Sequence, residues 1–150
     1  MKLSTKGRYG LKAMLDLAVN SGDGQVSLKS IAERQEISEN YLEQIFAVLK
    51  KEGLVKSIRG SQGGYVLSQE AAKITAGDIL RALEGSLAPV DCVLEEDPAE
   101  CERSQYCVTR IIWARIRDSI NQVVDSISLQ DLVEDYDRSQ QKGEDDIYYI

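Results

Sequence analysis

SLKSIAERQEISENYLEQIFAVLKKEGLVKSIRGSQGGYVL, residues 27–67, decides how this chain folds. Ser27 is a helix N-cap, followed by a short helix to Gln35 with Leu28, Ile31 and Ala32 turned inward. The link Glu36-Ile37 leads to a second N-cap, Ser38, and to a longer helix. There Tyr41, Leu42, Ile45, Phe46 and Leu49 make the buried face and Gly53 ends the element. Two short helices across a tight turn, the second longer, form a helix-turn-helix pattern. Next, Val55–Arg59 and Tyr65–Leu67 read as two strands around the glycine-rich turn Gly60–Gly64. A hairpin directly after a helix-turn-helix is a wing.

The flanks extend the same reading. Tyr9, Ala13, Met14, Leu17 and Ala18 give an amphipathic helix over residues 5–20, closed by the turn Ser21-Gly22-Asp23-Gly24. Thr75, with Asp78 three residues on, is a capping box before Ile79, Leu80 and Leu83, and Gly85 ends that helix. Further on, Val108, Ile112, Ile116, Ile120, Val123 and Ile127 recur every three or four residues, widened by Ile111 and Trp113, as one helix about 30 Å long. So long an apolar seam on so small a domain calls for a partner, most simply a second copy, with burial against the winged domain as the alternative. Ser128 and Asp131 cap a last short helix through Leu132 and Val133. Beyond Tyr136 the acidic, polar chain is expected to be disordered. The predicted architecture is mainly α with a small β-wing. A winged helix-turn-helix domain spans 1–85, a cysteine loop 86–107, a dimerisation helix with a short terminal helix 108–138, and a flexible acidic tail 139–150.

Composition adds a division of labour. Residues 1–85 carry 12 Lys and Arg against 10 Asp and Glu, a net of +2, whereas residues 86–150 carry 6 against 15, a net of −9. The front half is therefore suited to an anionic partner. A helix-turn-helix shape alone is shared with domains that bind no nucleic acid, so the polar face of the second helix matters. Asn40, Glu43, Gln44 and Ala47 fall on one side, where Asn and Gln can read adenine and Glu can accept from cytosine N4. Lys2, Lys6, Arg8, Lys29, Lys50, Lys51, Lys56 and Arg59 supply phosphate-binding charge. Arg59 stands at the wing tip beside glycines that permit close backbone approach, which suits a minor groove. The glycines do not form a phosphate-binding P-loop, since the Gly-Lys-Ser/Thr ending is absent. The double-stranded DNA site is expected to be palindromic if the chain dimerises. No run has the apolar length to span a bilayer, and the polar, basic start MKLSTKGRYG has no apolar signal core, so a cytoplasmic protein is expected. The chain has no histidine and no paired nucleophile and base, which argues against an enzyme.

All three cysteines lie in one acidic stretch, DCVLEEDPAECERSQYC, residues 91–107, spaced as C-x8-C-x5-C. Three cannot all pair within one chain, and a reducing compartment disfavours a disulfide. Thiolates on one loop can converge on a metal. Zinc would call for C-x2-C knuckles or histidines, so an iron-sulfur cluster leads over zinc. Glu95, Glu96, Asp97, Glu100 and Glu102 oppose this by raising thiol pKa and adding negative charge, leaving an inert apo loop.

MKLSTKGRYGLKAMLDLA, SLKSIAERQEISENYLEQIF, GLVKSIRGSQGGYVL and ITAGDIL together resemble the winged-helix regulator superfamily of IscR, NsrR and CymR, from Met1 to about Tyr136. The resemblance implies a homodimer that crosses long C-terminal helices and presents two winged helices to DNA. Ser38, Asn40, Tyr41, Glu43, Gln44, Lys56, Arg59, Gly60, Gly63 and Gly64, with Lys2 and Arg8, are the implied DNA-contacting set. It further implies that Cys92, Cys101 and Cys107 hold a cluster of the 2Fe-2S type, CVTRIIW at 107–113 resembling the closing segment of such a site. The chain would then control iron-sulfur biogenesis genes. Departures are visible: Arg110 stands where a histidine ligand is usual, and arginine has no free lone pair for iron. Arg8 stands where a partner-chain aspartate ligates in NsrR-like members, and Asn40 replaces a serine, while Glu43 matches. The ending DDIYYI resembles the CymR tail. It implies an alternative: a cysteine-metabolism repressor that binds cysteine synthase through Tyr149 and Ile150, or responds through its thiols.

Overall fold

The computed structural model describes residues 2–103 and 105–148, so Tyr149 and Ile150 lie outside the described residues. Helix α1, Thr5–Val19, is started by Ser4, whose hydroxyl accepts from the Gly7 amide. A 3-10 turn leads to α2, Leu28–Gln35, and α3, Glu39–Lys51, whose N-caps Ser27 and Ser38 accept from Ser30 and Tyr41. The chain turns between them at Glu36, in the left-handed region at φ 55°, while Ile37 is buried beneath the turn. This is the helix-turn-helix.

Strands β1, Val55–Ile58, and β2, Gly64–Leu67, pair antiparallel from Val55↔Leu67 to Ile58↔Gly64. Val26 adds an isolated antiparallel bridge to β2 by exchanging backbone hydrogen bonds with Tyr65 at 2.9 and 2.8 Å. Gly64 permits that approach, because a Cβ there would run into the Val26 carbonyl. The wing is thereby fixed to the start of the helix-turn-helix. Helix α4, Ala76–Glu84, opens with the expected capping box, Thr75 and Asp78 exchanging bonds of 3.0 and 2.9 Å.

The core packs Met14 and Leu17 of α1, Ile31 of α2, Leu42, Ile45, Phe46 and Leu49 of α3, and Ile79 and Leu83 of α4. The 92–107 segment follows with little regular structure and runs into α5, Val108–Asp125. Helix α6, Leu129–Tyr148, then returns against α1. Its start is locked by Leu129 N–H to Ile74 O at 2.7 Å and Ala76 N–H to Ile127 O at 2.8 Å, and Leu129 itself is fully buried. Two expectations change here. The core built by residues 1–85 also takes Leu129 and Leu132 from beyond the cysteine loop. The tail expected to be flexible from residue 139 is helical through Tyr148. No proline interrupts this stretch, and Arg138 pairs with Asp135 one turn back, so a polar helix continues.

Candidate nucleic-acid interface and cysteine loop

The buried stripe of α3 turns Asn40, Glu43, Gln44 and Ala47 outward together, and all four are exposed. Ser38 uses its oxygen to cap α3, which leaves its hydroxyl hydrogen free to donate. Tyr41 is half-buried, edge-on to Tyr9 with ring centroids 6.1 Å apart, so it ties α3 to α1 as well as flanking the polar face. The wing is braced to this unit on both sides. Lys50 Nζ donates to Ser57 Oγ at 2.9 Å, and Gln25 Nε2 donates to the Gln62 carbonyl at 2.7 Å. Lys56, Arg59 and Gly60 are exposed at the wing, with Ile58 exposed beside them. Gly60, at φ 124°, makes the turn that Gly63 closes by donating to its carbonyl at 3.0 Å.

The remaining basic residues spread out. Arg8 is exposed in the first turns of α1. Lys2 lines a 320 Å³ apolar cleft with Leu80, Glu84, Ile120 and Val124, which places it against α4 and α5. Beside it Glu84 accepts from the Ser4 and Gly7 amides at 3.0 and 3.1 Å, anchoring the start of α1.

Of the thiols, Cys92 and Cys101 line one open pocket of 540 Å³ together with Glu100, Glu102 and Arg110. Cys107 is the N-cap residue of α5, its sulfur 3.2 Å from Thr109 Oγ1. Contrary to the expectation that acidic neighbours raise every thiol, the Cys107 pKa is lowered. The Thr109 hydroxyl and then the Arg110 amide at the helix start bond to the thiolate. Three thiols are a suitable donor set for a cluster. Among the described residues, however, no three side chains of ligating type stand close enough to share an ion. Arg110, whose guanidinium has no lone pair to offer a metal, shares the pocket of Cys92 and Cys101.

Several site-shaping residues escape a reading by pattern. Asp16 is buried in α1 and accepts from both Arg34 Nε at 3.0 Å and Gln35 Nε2 at 2.9 Å. Its only signal is a carboxylate inside the apolar run MLDLA. Glu95, Asn121 and Arg81 likewise join three distant segments with no periodicity to reveal them.

A helix-turn-helix with a braced wing and an outward polar face on its second helix is a winged-helix fold of the DNA-binding class. The comparisons make the class specific. The Rrf2 family model, described as an iron-dependent transcriptional regulator, matches residues 3–135, and the chain belongs to that family. The transcriptional regulator CymR of Bacillus subtilis is 50% identical over 141 residues, covering 94% of this chain and 96% of that one. Its solved structure, that of the global cysteine regulator, superposes with a TM-score of 0.73 at 51% identity, over 89% of this chain and 97% of that one. The IscR structure of T. potens superposes with a TM-score of 0.76 at 49% identity, over 93% and 91% of the two chains. None of the described helices is long and apolar enough to cross a membrane.

Proposed function

We infer that the chain is a homodimeric regulator of iron-sulfur biogenesis genes whose effector is an iron-sulfur cluster held by Cys92, Cys101 and Cys107. The observation that carries this reading is the confinement of every cysteine to the segment leading into α5, two of them in one open pocket. Soft thiolates and the absence of histidine suit a cluster of the 2Fe-2S type better than zinc. Arg110 cannot ligate, but its charge in that pocket offsets the negative charge of a thiolate-bound cluster. When bound, the cluster supplies a species sensitive to iron, sulfide and oxidation; the chain's own residues read DNA.

In this reading Asn40, Glu43 and Gln44 meet base edges in the major groove, Glu43 stabilised only where a cytosine amine satisfies it. Ser38, Tyr41, Lys56, Lys2 and Arg8 hold the phosphate backbone, and Arg59 with Gly60, Gly63 and Gly64 brings the wing to the minor groove. The dimer supports a palindromic operator. Support for the dimer comes from α5: Val108 is 75% exposed, Ile111 61%, Ile112 51% and Val123 57%, and none of its residues is fully buried within the chain.

Anaerobic reconstitution with iron and sulfide tests the cluster, by absorption spectroscopy and metal analysis. Iron and sulfide in the protein, with a change in operator affinity, are expected; a colourless protein with unaltered affinity refutes it. A second reading has a specific observation in its favour, the 50% identity to CymR over nearly its whole length. There the thiols, Cys107 with its lowered pKa foremost, would respond directly, and Tyr149 and Ile150 would engage cysteine synthase. Titration with that enzyme, with and without the last two residues, separates the two readings.

A further inference from the structure

The segment after Cys92 is tied to the DNA-binding body through a chain of side-chain contacts. Val93 is buried in the short turn Asp91–Val93, and Arg117 of α5 holds its carbonyl at 3.0 Å. Two residues on, Glu95 accepts from Ser86 Oγ at 2.6 Å and from Asn121 Nδ2 at 2.9 Å. The other end of the Asn121 amide accepts from Arg81 Nη1 of α4 at 3.1 Å, and Arg81 also pairs with Asp125. Arg81 belongs to the helix whose Ile79 and Leu83 share a core with Ile45 and Phe46, under the outward face of α3. Helices α4 and α5 approach closely here, since a Cβ on Gly77 would strike Asp125 and Val124.

We propose that Asn121 is the positioning residue that transmits the state of the cysteine segment to the DNA-reading helices, through Glu95 on one side and Arg81 on the other. An amide is the side chain the position needs. It donates to a carboxylate and accepts from a guanidinium at once, which neither Asp nor Leu can do. Displacing the Cys92 turn pulls Glu95 from Asn121, frees the amide to turn from Arg81, and lets α4 shift against α5. Such a chain couples two sites only if it has two arrangements, and the open cleft of 440 Å³ lined by Arg81, Ser86, Glu95, Asn121 and Asp125 leaves room for a second. The proposal rests on the cysteine segment being the sensing element, but not on which species it senses.

The full-length Cys101→Ser/Cys107→Ser protein leaves Cys92 as the one thiol, within the turn that Arg117 holds. It is alkylated with N-ethylmaleimide. Operator affinity is read by fluorescence anisotropy on a duplex enriched from random sequence by the unalkylated protein. Alkylation is expected to change affinity about fivefold or more, and this ratio is expected to shrink to within about twofold on adding Asn121→Asp, which keeps the acceptor for Arg81 but loses the donor to Glu95. Because the readout is the ratio of alkylated to unalkylated affinity, a loss common to both states cancels. A parent protein indifferent to alkylation, or an Asn121→Asp protein that responds as fully as the parent, overturns the proposal. A wild-type protein that stays colourless on reconstitution, in company with an intact Cys92 response, removes the cluster and leaves the relay standing.

Discussion

Asp16 shows at the scale of one residue how this chain spends a buried charge. Its carboxylate accepts from Arg34, Gln35 and Asn20, so one α1 side chain pins α2 at the angle the helix-turn-helix requires. Removing it leaves Gln35 unpaired at the α1–α2 contact, while Arg34, partly exposed, regains water. Asp16→Ala is expected to cost about 1–3 kcal/mol in denaturant unfolding, less than a fully buried pair would. An unchanged midpoint would mean the clip contributes nothing. Glu95 is governed by different physics. The Ser86 hydroxyl and then Asn121 hold its pKa below the usual carboxylate range. The contribution of its bonds is therefore present above a pH of about 4.3 and is lost as the pH falls through its own lower value. At neutral pH Glu95 is ionised and its hydrogen bonds contribute in full.

Among the elements, the helix-turn-helix and the wing are held as one unit because Lys50 bonds Ser57 and Val26 pairs with Tyr65. Lys50, counted in the sequence among the phosphate-binding charges, has its ammonium engaged with the wing, a contact no one-dimensional pattern contains. Arg59→Ala is expected to lower operator affinity and to shift sequence preference at the flanking positions, as suits a narrow minor groove. Titrations at several salt concentrations decide the point. A slope flatter by about one with unaltered preference would put Arg59 on a phosphate. The ends of these elements were legible in advance, since Ser27, Ser38, Thr75 and Ser128 are local caps whose partners lie three residues away. The extent of α6 was not, because polar helices without a periodic stripe look like disordered chain until a buried Leu129 anchors them.

For the whole molecule the question is what covers α5. Eighteen residues of helix, about 27 Å long, leave a row of aliphatic side chains exposed, an arrangement that pairing with a second copy would cover. Ile112→Glu is expected to give a folded monomer in sedimentation, since Ile112 is half exposed and lies outside the core, and to weaken operator binding by removing the second half-site. A variant that remains dimeric would move the seam elsewhere. By itself the sequence determined the winged helix-turn-helix, the outward polar face of α3 and the clustering of the thiols, because caps, turns and periodicity act within a few residues. Tertiary structure alone decided that α6 completes the core, that Asp16 clips α1 to α2, that Cys92 and Cys101 line one pocket, and that Asn121 bridges Glu95 to Arg81. Those partners are separated by up to dozens of residues, and only the packed backbone brings such polar groups within hydrogen-bonding reach.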